Sequence, residues 1–506
     1  MAPWNLRRRA FAAIVALALS ACAARPAGAP GGCLVVVIDG LRPDYVTAEL
    51  MPNLHGLGLR GVVFADHHSV FPTVTRVNAA SIATGSYPAT HGLLGNSVYV
   101  PDVDAERSLD TGEKATLDAI DAATGRRLLT APSLGELLAA SGKRLLALSS
   151  GSQGSGFLLN HRAPAGAVIH PDFTVPSELR ARIDDALGAG PTSESPVAAR
   201  TRWIVDALLE FGLEELRPDV TIMWLGTLDT VAHASGVGTP ETLEAVRQVD
   251  AELGRLEAGL RDRGILDRTN LIVTADHGFS THVGGFDPDR AIARAVAEAG
   301  ADPGSVVRAG GAIYVRDADL TPAIVAALQR DPAVGAIFTP AADAGAATGT
   351  IAGTLSLDLA RGNHPRAGEI LVSAAWTDEV NGHGYAGVST NGGVAGHGAT
   401  SPFDIHATLI AAGPAFREGL ESPVPTGNVD LAPTLLHLLG LPVPETLDGR
   451  VIREGLRDGP VPESLEVIRD EHVARAELAE IEYVVTAHTS TVDGHRYLDR
   501  VSATRR

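Results

Sequence analysis

The sequence predicts an α/β protein built around a mainly parallel sheet, and three observations carry that prediction. Cys33–Ile38, Val220–Leu225 and Leu271–Ala275 are short apolar runs without alternation, as expected of strands buried on both faces. Helical periodicity fills the intervals, for example at Ser133–Ser141, Ala199–Leu213 and Pro240–Arg263, and strand–helix alternation of this kind builds a sandwich. Each apolar run also leads into metal-ligating residue types: Asp39, Asp229 and Asp276-His277. Open α/β sheets bind ligands beyond the carboxyl ends of their strands, which is where these residues fall.

Taken in order, residues 1–21 read as an export signal of the lipoprotein type. Arg7–Arg9 precede a 12-residue apolar stretch, Ala10–Ala21, whereas a bilayer-spanning helix needs about 20 residues. Leu19-Ser20-Ala21-Cys22 resembles a bacterial lipobox, and Arg8-Arg9-Ala10-Phe11 partly resembles a twin-arginine signal. The expectation is a periplasmic protein exported from a bacterial cell and anchored in the membrane by lipid on Cys22, with residues 22–31 as a small Ala/Pro/Gly tether. Residues 32–280 form the first part of the catalytic α/β domain. Residues 281–367, compositionally distinct, read as an inserted smaller α+β subdomain. The domain resumes over 368–455, with apolar runs at Glu369–Ser373 and Ile405–Ala412 expected to extend the main sheet, followed by a helix over Val429–Leu439. The tail, 456–506, fits a hairpin or a helix.

The composition, 45% apolar and 20% charged over 506 residues, can bury a large core. Two cysteines, Cys22 and Cys33, leave no usable disulfide once Cys22 is lipidated, so stability is expected to rest on core size and bound metals. The net charge is −19, and Lys114 and Lys143 are the only lysines. That balance disfavours nucleic acid as a partner, because phosphate-backbone contacts need clustered Lys and Arg.

Mixed carboxylates and imidazoles suit zinc. Asp229 and His233 are four apart and share a helix face, while the turn after a strand can aim Asp276 and His277 at one ion. A threonine-rich stretch, Phe71-Pro72-Thr73-Val74-Thr75-Arg76-Val77-Asn78, opens a short helix that ends at Gly85. A threonine there could simply cap the helix. It could also be a nucleophile, since helix amides and the helix dipole favour an alkoxide and a bound phosphate, and a metal would lower the hydroxyl pKa.

Asp39-Gly40-Leu41-Arg42, Met51-Pro52-Asn53-Leu54, Pro72–Gly85 with Tyr87-Pro88 and His91-Gly92, and Gly95-Asn96-Ser97 together resemble the nucleotide pyrophosphatase/phosphodiesterase family of the alkaline phosphatase superfamily. The likeness continues through Asp229…His233, Ala275-Asp276-His277-Gly278, Gly396-His397-Gly398, Asp430–Gly440 and Asp448-Gly449-Arg450. It implies an alkaline phosphatase-like three-layer α/β/α sandwich and two zinc ions, other divalent metals not being excluded. One ion is then held by Asp39, Thr75, Asp276 and His277, and the other by Asp229, His233 and His397. His397 is chosen over His383 because a short loop separates it from Ile405–Ala412. Thr75 becomes the nucleophile of a covalent phospho-threonine, and Asn96 a donor to a phosphoryl oxygen. The implied reaction is hydrolysis of phosphate diesters or pyrophosphates, with a small phosphate ester as substrate. The alternatives are a phosphomonoesterase or phosphonate hydrolase, and an inactive binding lipoprotein that kept the fold.

Two departures from the family bear on the substrate. The aromatic residue and proline that usually follow the nucleophile are replaced by Arg76-Val77, and Ala147–Arg162 offers Arg162 alone as a cation for a third phosphoryl oxygen. The lack of a Cys/Ser-x-Pro-x-Arg nucleophile motif speaks against a sulfatase.

Overall fold

The computed structural model describes residues 32–506. The readings of an export signal, a tether and a lipidated Cys22 lie outside the described residues.

The main sheet has nine strands, in the order Leu420–Ser422, Val62–Phe64, Leu409–Ala412, Asn270–Thr274, Cys33–Ile38, Val220–Leu225, Leu145–Ser149, Ala167–Ile169 and Thr174–Val175. The five from Asn270–Thr274 to Ala167–Ile169 run parallel, and Leu409–Ala412 joins them antiparallel. Cys33–Ile38 shows why the sequence lacks alternation. Leu34, Val36 and Ile38 point into one core with the helices Pro52–Leu59, Thr227–Ser235 and Pro240–Asp262. Cys33, Val35 and Val37 point into a second core with Thr75–Thr84, Leu134–Ala140 and Leu431–Leu438. Both faces are covered, so both residue parities must be apolar, and the fold is a three-layer α/β/α sandwich. Removing each of these side chains from water contributes about 1.5–3 kcal/mol.

The apolar run after residue 368 is placed differently from expectation. Ile370–Ala374 does not extend the main sheet; it sits centrally in a separate five-stranded sheet, between Ala312–Val315 and Val334–Thr339 and antiparallel to both. A continuous apolar run reports burial on two faces and says nothing about which sheet supplies the neighbours. The main sheet resumes only with Leu409–Ala412. The tail is neither helix nor simple hairpin: Val467–Leu478, Ile481–Val492 and His495–Arg505 form a three-stranded antiparallel sheet. Its Tyr483 and Val485 share a core with Ile337 and Phe338 of the five-stranded sheet. Among the described residues no helix is long and apolar enough to cross a membrane.

Candidate active site

The carboxyl ends of three adjacent parallel strands deliver the first side chains. Asp39 follows Cys33–Ile38, Asp276 and His277 follow Asn270–Thr274, and Asp229 and His233 lie on the helix Thr227–Ser235 just beyond Val220–Leu225. Glycines permit the close turns. Gly40 has φ +74°, and a Cβ on Gly278 would lie 2.0 Å from the Phe403 carbonyl oxygen. His397 arrives from a different sheet: Ala395–Gly396 pairs with Ser280–His282, which carries the next residue onto the same face.

The residues meet closely. His277 Nε2 lies 3.1 Å from Asp276 Oδ2 and 3.5 Å from Asp39 Oδ1. Asp229 Oδ1 lies 3.3 Å from His233 Nε2 and 3.6 Å from His397 Nε2. Asp229 belongs to both groups, one with Asp39 and His277, the other with His233 and His397. The rings of His277 and His397 stack, with centroids 3.5 Å apart. His383, by contrast, is exposed in a turn, its amide donating to Asn381 Oδ1.

Each imidazole is oriented in the same manner. Nδ1 of His277, His233 and His397 meets the backbone carbonyl of Gly278, Ala395 and Thr73 respectively, at 2.8–2.9 Å. With Nδ1–H donating, the lone pair is on Nε2, and all three Nε2 atoms face carboxylates. Three inward carboxylate oxygens, Asp39 Oδ1, Asp229 Oδ1 and Asp276 Oδ2, are buried without any hydrogen-bond partner. Burial raises the Asp39 pKa well above the ordinary carboxylate range, and the neighbouring Asp229 and Asp276 raise it further. Burial works against the His277 imidazolium, but Asp276 outweighs it and the pKa is raised. Burial beside His277 and His233 holds His397 well below its usual value. Lone pairs facing unpartnered carboxylates are costly without a cation between them. This donor set of Asp oxygens and imidazole Nε2 atoms fits divalent metal of the zinc class.

Thr75 is the first residue of Thr75–Thr84, next to this cluster. The capping position is Val74, with no side-chain cap, so the Thr75 hydroxyl is not committed to capping. It is 5% exposed and its Oγ1 lies 3.4 Å from His277 Nε2. Asn78, one turn on, staples the preceding loop by accepting from the Val70 amide and donating to the Val70 and Val74 carbonyls. Asn96 Oδ1 accepts from the Arg76 backbone amide at 3.0 Å, a bond that holds its amide group beside the helix start. Arg76 itself pairs with Asp110 at 3.2 Å, and Arg162 pairs with Glu136 at 3.5 Å.

Three supporting residues escaped the sequence reading. Trp224 Nε1–H donates to Asp39 Oδ2 at 2.8 Å, from inside a strand buried on both faces. A buried indole needs an acceptor, and that was the available signal. Asn428 donates to the Asp276 carbonyl, and Thr73 Oγ1 accepts from the Gly398 amide beside His397. No local pattern marks these last two, because their partners are distant in sequence.

The three-layer sandwich with its paired Asp/His groups at the strand ends is an alkaline phosphatase-like fold. Solved structures of that fold align over most of it: wild-type alkaline phosphatase PafA, with TM-score 0.66 and 17% identity over 84% of this chain and 99% of that one, and murine ectonucleotide pyrophosphatase/phosphodiesterase 5, with TM-score 0.59 and 18% identity over 84% of this chain and 100% of that one. The family described as type I phosphodiesterase/nucleotide pyrophosphatase matches residues 33–375, and the chain belongs to it. Venom phosphodiesterase 2 of Crotalus adamanteus is 27% identical over 256 residues, 50% of this chain and 27% of that protein. Human ectonucleotide pyrophosphatase/phosphodiesterase family member 1 is 27% identical over 250 residues, 48% of this chain and 23% of that protein. The matched segment thus spans about a quarter of the length of these two relatives.

Proposed function

We propose that the chain hydrolyses phosphate diesters or pyrophosphates through a covalent intermediate on Thr75. The observation that carries this reading is an uncommitted threonine hydroxyl at a helix N-terminus, held against a cluster of buried Asp and His side chains. Family membership supports the substrate class. A murine relative described as inactive after a threonine-to-alanine change and bound to AMP supports a threonine nucleophile and a small phosphate ester.

In this reading Asp39, Thr75, Asp276 and His277 hold one zinc ion, and Asp229, His233 and His397 the other. Bound zinc would depress the pKa of the Thr75 hydroxyl, offset charge that develops on the entering and leaving oxygens, and activate water. Thr75 Oγ1 bonds to phosphorus as the leaving group departs in line, and water then breaks the Thr75 Oγ1–phosphorus bond and restores the hydroxyl. The loop stapled by Asn78 fixes the angle of attack. Asn96, with its Oδ1 engaged, turns its NH₂ group to a non-bridging oxygen.

The preference for diesters follows from the cations. A monoester has a third charged oxygen that needs another donor to replace its lost hydration. Arg76 pairs through one terminal nitrogen with the exposed Asp110 while its Nε stays unpartnered, and Arg162 pairs with Glu136, so Arg76 is the one cation beside Thr75 and no second guanidinium among the described residues joins it. A panel of monoester, diester and phosphonate substrates tests the reading: diesters should lead in kcat/KM, each tenfold being about 1.4 kcal/mol. A hundredfold preference for monoesters reverses it. Arg76→Ala should alter the ranking among diester leaving groups; a loss confined to monoesters would make Arg76 a clamp for the third oxygen.

Independently of the reaction, we propose from Leu19-Ser20-Ala21-Cys22 that the protein is an exported lipoprotein anchored through Cys22. Cys22→Ser should move it from the membrane fraction to the soluble exported fraction. An unchanged distribution, or a mature N-terminus elsewhere, would refute the anchor.

A further inference from the structure

A cavity of about 20 Å³ lies where three parts of the chain meet, and none of its lining residues belongs to the site described above. Ser69 and Phe71 reach it from the stretch that leads to Thr75, and Tyr87 from just beyond the helix Thr75–Thr84. Leu359 and Arg361 come from the segment 281–367, and Arg496 from the C-terminal strand His495–Arg505. Two arginines thus share the wall, and no carboxylate lines it.

The donors around the cavity lack acceptors. Arg361 Nε, Arg496 Nε and Ser69 Oγ are all buried without a hydrogen-bond partner. Ser69 is 6% exposed, so bulk water does not serve its hydroxyl. Arg361 forms no ion pair among the described residues; its guanidinium lies over the Tyr87 ring, 5.4 Å from the centroid. Arg496 reaches the Asp358 carbonyl at a long 3.3 Å and, among the described residues, likewise has no carboxylate partner. Tyr87 O–H donates to the Arg496 carbonyl. His68, which also borders the cavity, is engaged by the Thr426 carbonyl and Asp499.

Like charges drawn together away from water are costly unless a counter-charge joins them. Here burial lowers the Arg496 pKa and Arg361 lowers it further, while Tyr87, Asp358 and Asp470 pull the other way without reversing the shift. The backbone also holds Arg361 at φ +55°, a left-handed conformation that residues other than glycine seldom adopt. A water in the cavity would satisfy single donors and leave the charge in place.

We propose that this cavity is a halide site, with a chloride ion held between the Arg361 and Arg496 guanidinium groups and the Ser69 hydroxyl. Volume sets the size of the occupant. One water needs roughly 10–15 Å³, so a cavity of about 20 Å³ admits one such ion and no phosphate ester. The two arginines set the sign of its charge, and the apolar wall of Phe71 and Leu359 suits a weakly hydrated monatomic anion. Its donors come from the sandwich, the segment 281–367 and the C-terminal sheet, so the bound ion would join all three and stabilise the assembled chain.

Bromide, which scatters anomalously, is the probe in crystals of the full-length protein. A bromide peak within hydrogen-bond reach of Arg361, Arg496 and Ser69 is expected. A cavity that stays empty or water-filled at high bromide overturns the site, and sulfate density there in crystals given both salts overturns it in favour of an oxyanion. In solution, sodium chloride should raise the wild-type melting temperature by about 2 °C or more over sodium gluconate of equal ionic strength. Arg361→Gln should lose that difference. Ser69→Ala, which keeps both arginines, should diminish it and serves if the first variant fails to fold. An undiminished gain in these variants means that chloride acts elsewhere and overturns the proposal. None of these readouts depends on the reaction assigned to Thr75.

Discussion

Thr75→Ala is expected to reduce turnover by on the order of 10⁴-fold or more, the scale seen when a covalent nucleophile is removed. The change should do little to stability. Thr75 does not cap its helix, and alanine is a better helix former. A folded protein without activity is therefore the expected outcome, with no phosphorylated residue recoverable on brief acid quench. Thr75→Ser retains a hydroxyl at the same atom and should keep measurable turnover. If Thr75→Ala hydrolyses diesters at the wild-type rate, the helix-terminal threonine is only a structural element and the covalent mechanism fails.

Removing metal should be nearly as severe. A chelator should abolish activity and zinc should restore it; full activity in metal-free protein would sink the mechanism. Asp229→Ala removes the carboxylate that adjoins both groups, so it should cost about 10³-fold or more, several kcal/mol of transition-state stabilisation. His383→Ala should stay within about twofold, because His383 sits exposed in a turn away from the cluster. The reverse order would make His383 the functional histidine instead of His397.

The legibility of this molecule follows the range of the forces involved. Cys33–Ile38 could be read from its own residues, because burial on two faces acts on six consecutive positions. Asp229 and His233 were legible because a helix turn places residues four apart together, and Asp276-His277 because a strand end does the same for neighbours. In sequence Thr75 fits either a cap or a nucleophile; the backbone gives the cap position to Val74 and so removes the first role, leaving the second as the proposal. Ile370–Ala374 was misplaced because strand pairing is decided by partners, and Ala312–Val315 lies in a segment with weaker patterning. The Trp224–Asp39 bond and the Arg361–Arg496 pair were illegible for the same reason. Both join segments that no local period relates.

The position of Cys33–Ile38 in the sheet also sets the order of events during folding. It is the first strand of the described chain, yet its two neighbours, Val220–Leu225 and Asn270–Thr274, are synthesised much later. Until both exist, the strand that carries Asp39 has two bare edges and no template. Pairing over such separations must close long loops before any contact repays the entropy, so assembly of the sheet should be slow and concerted. An apolar segment made early that awaits late partners is also the place where association between unfolded chains is expected to begin.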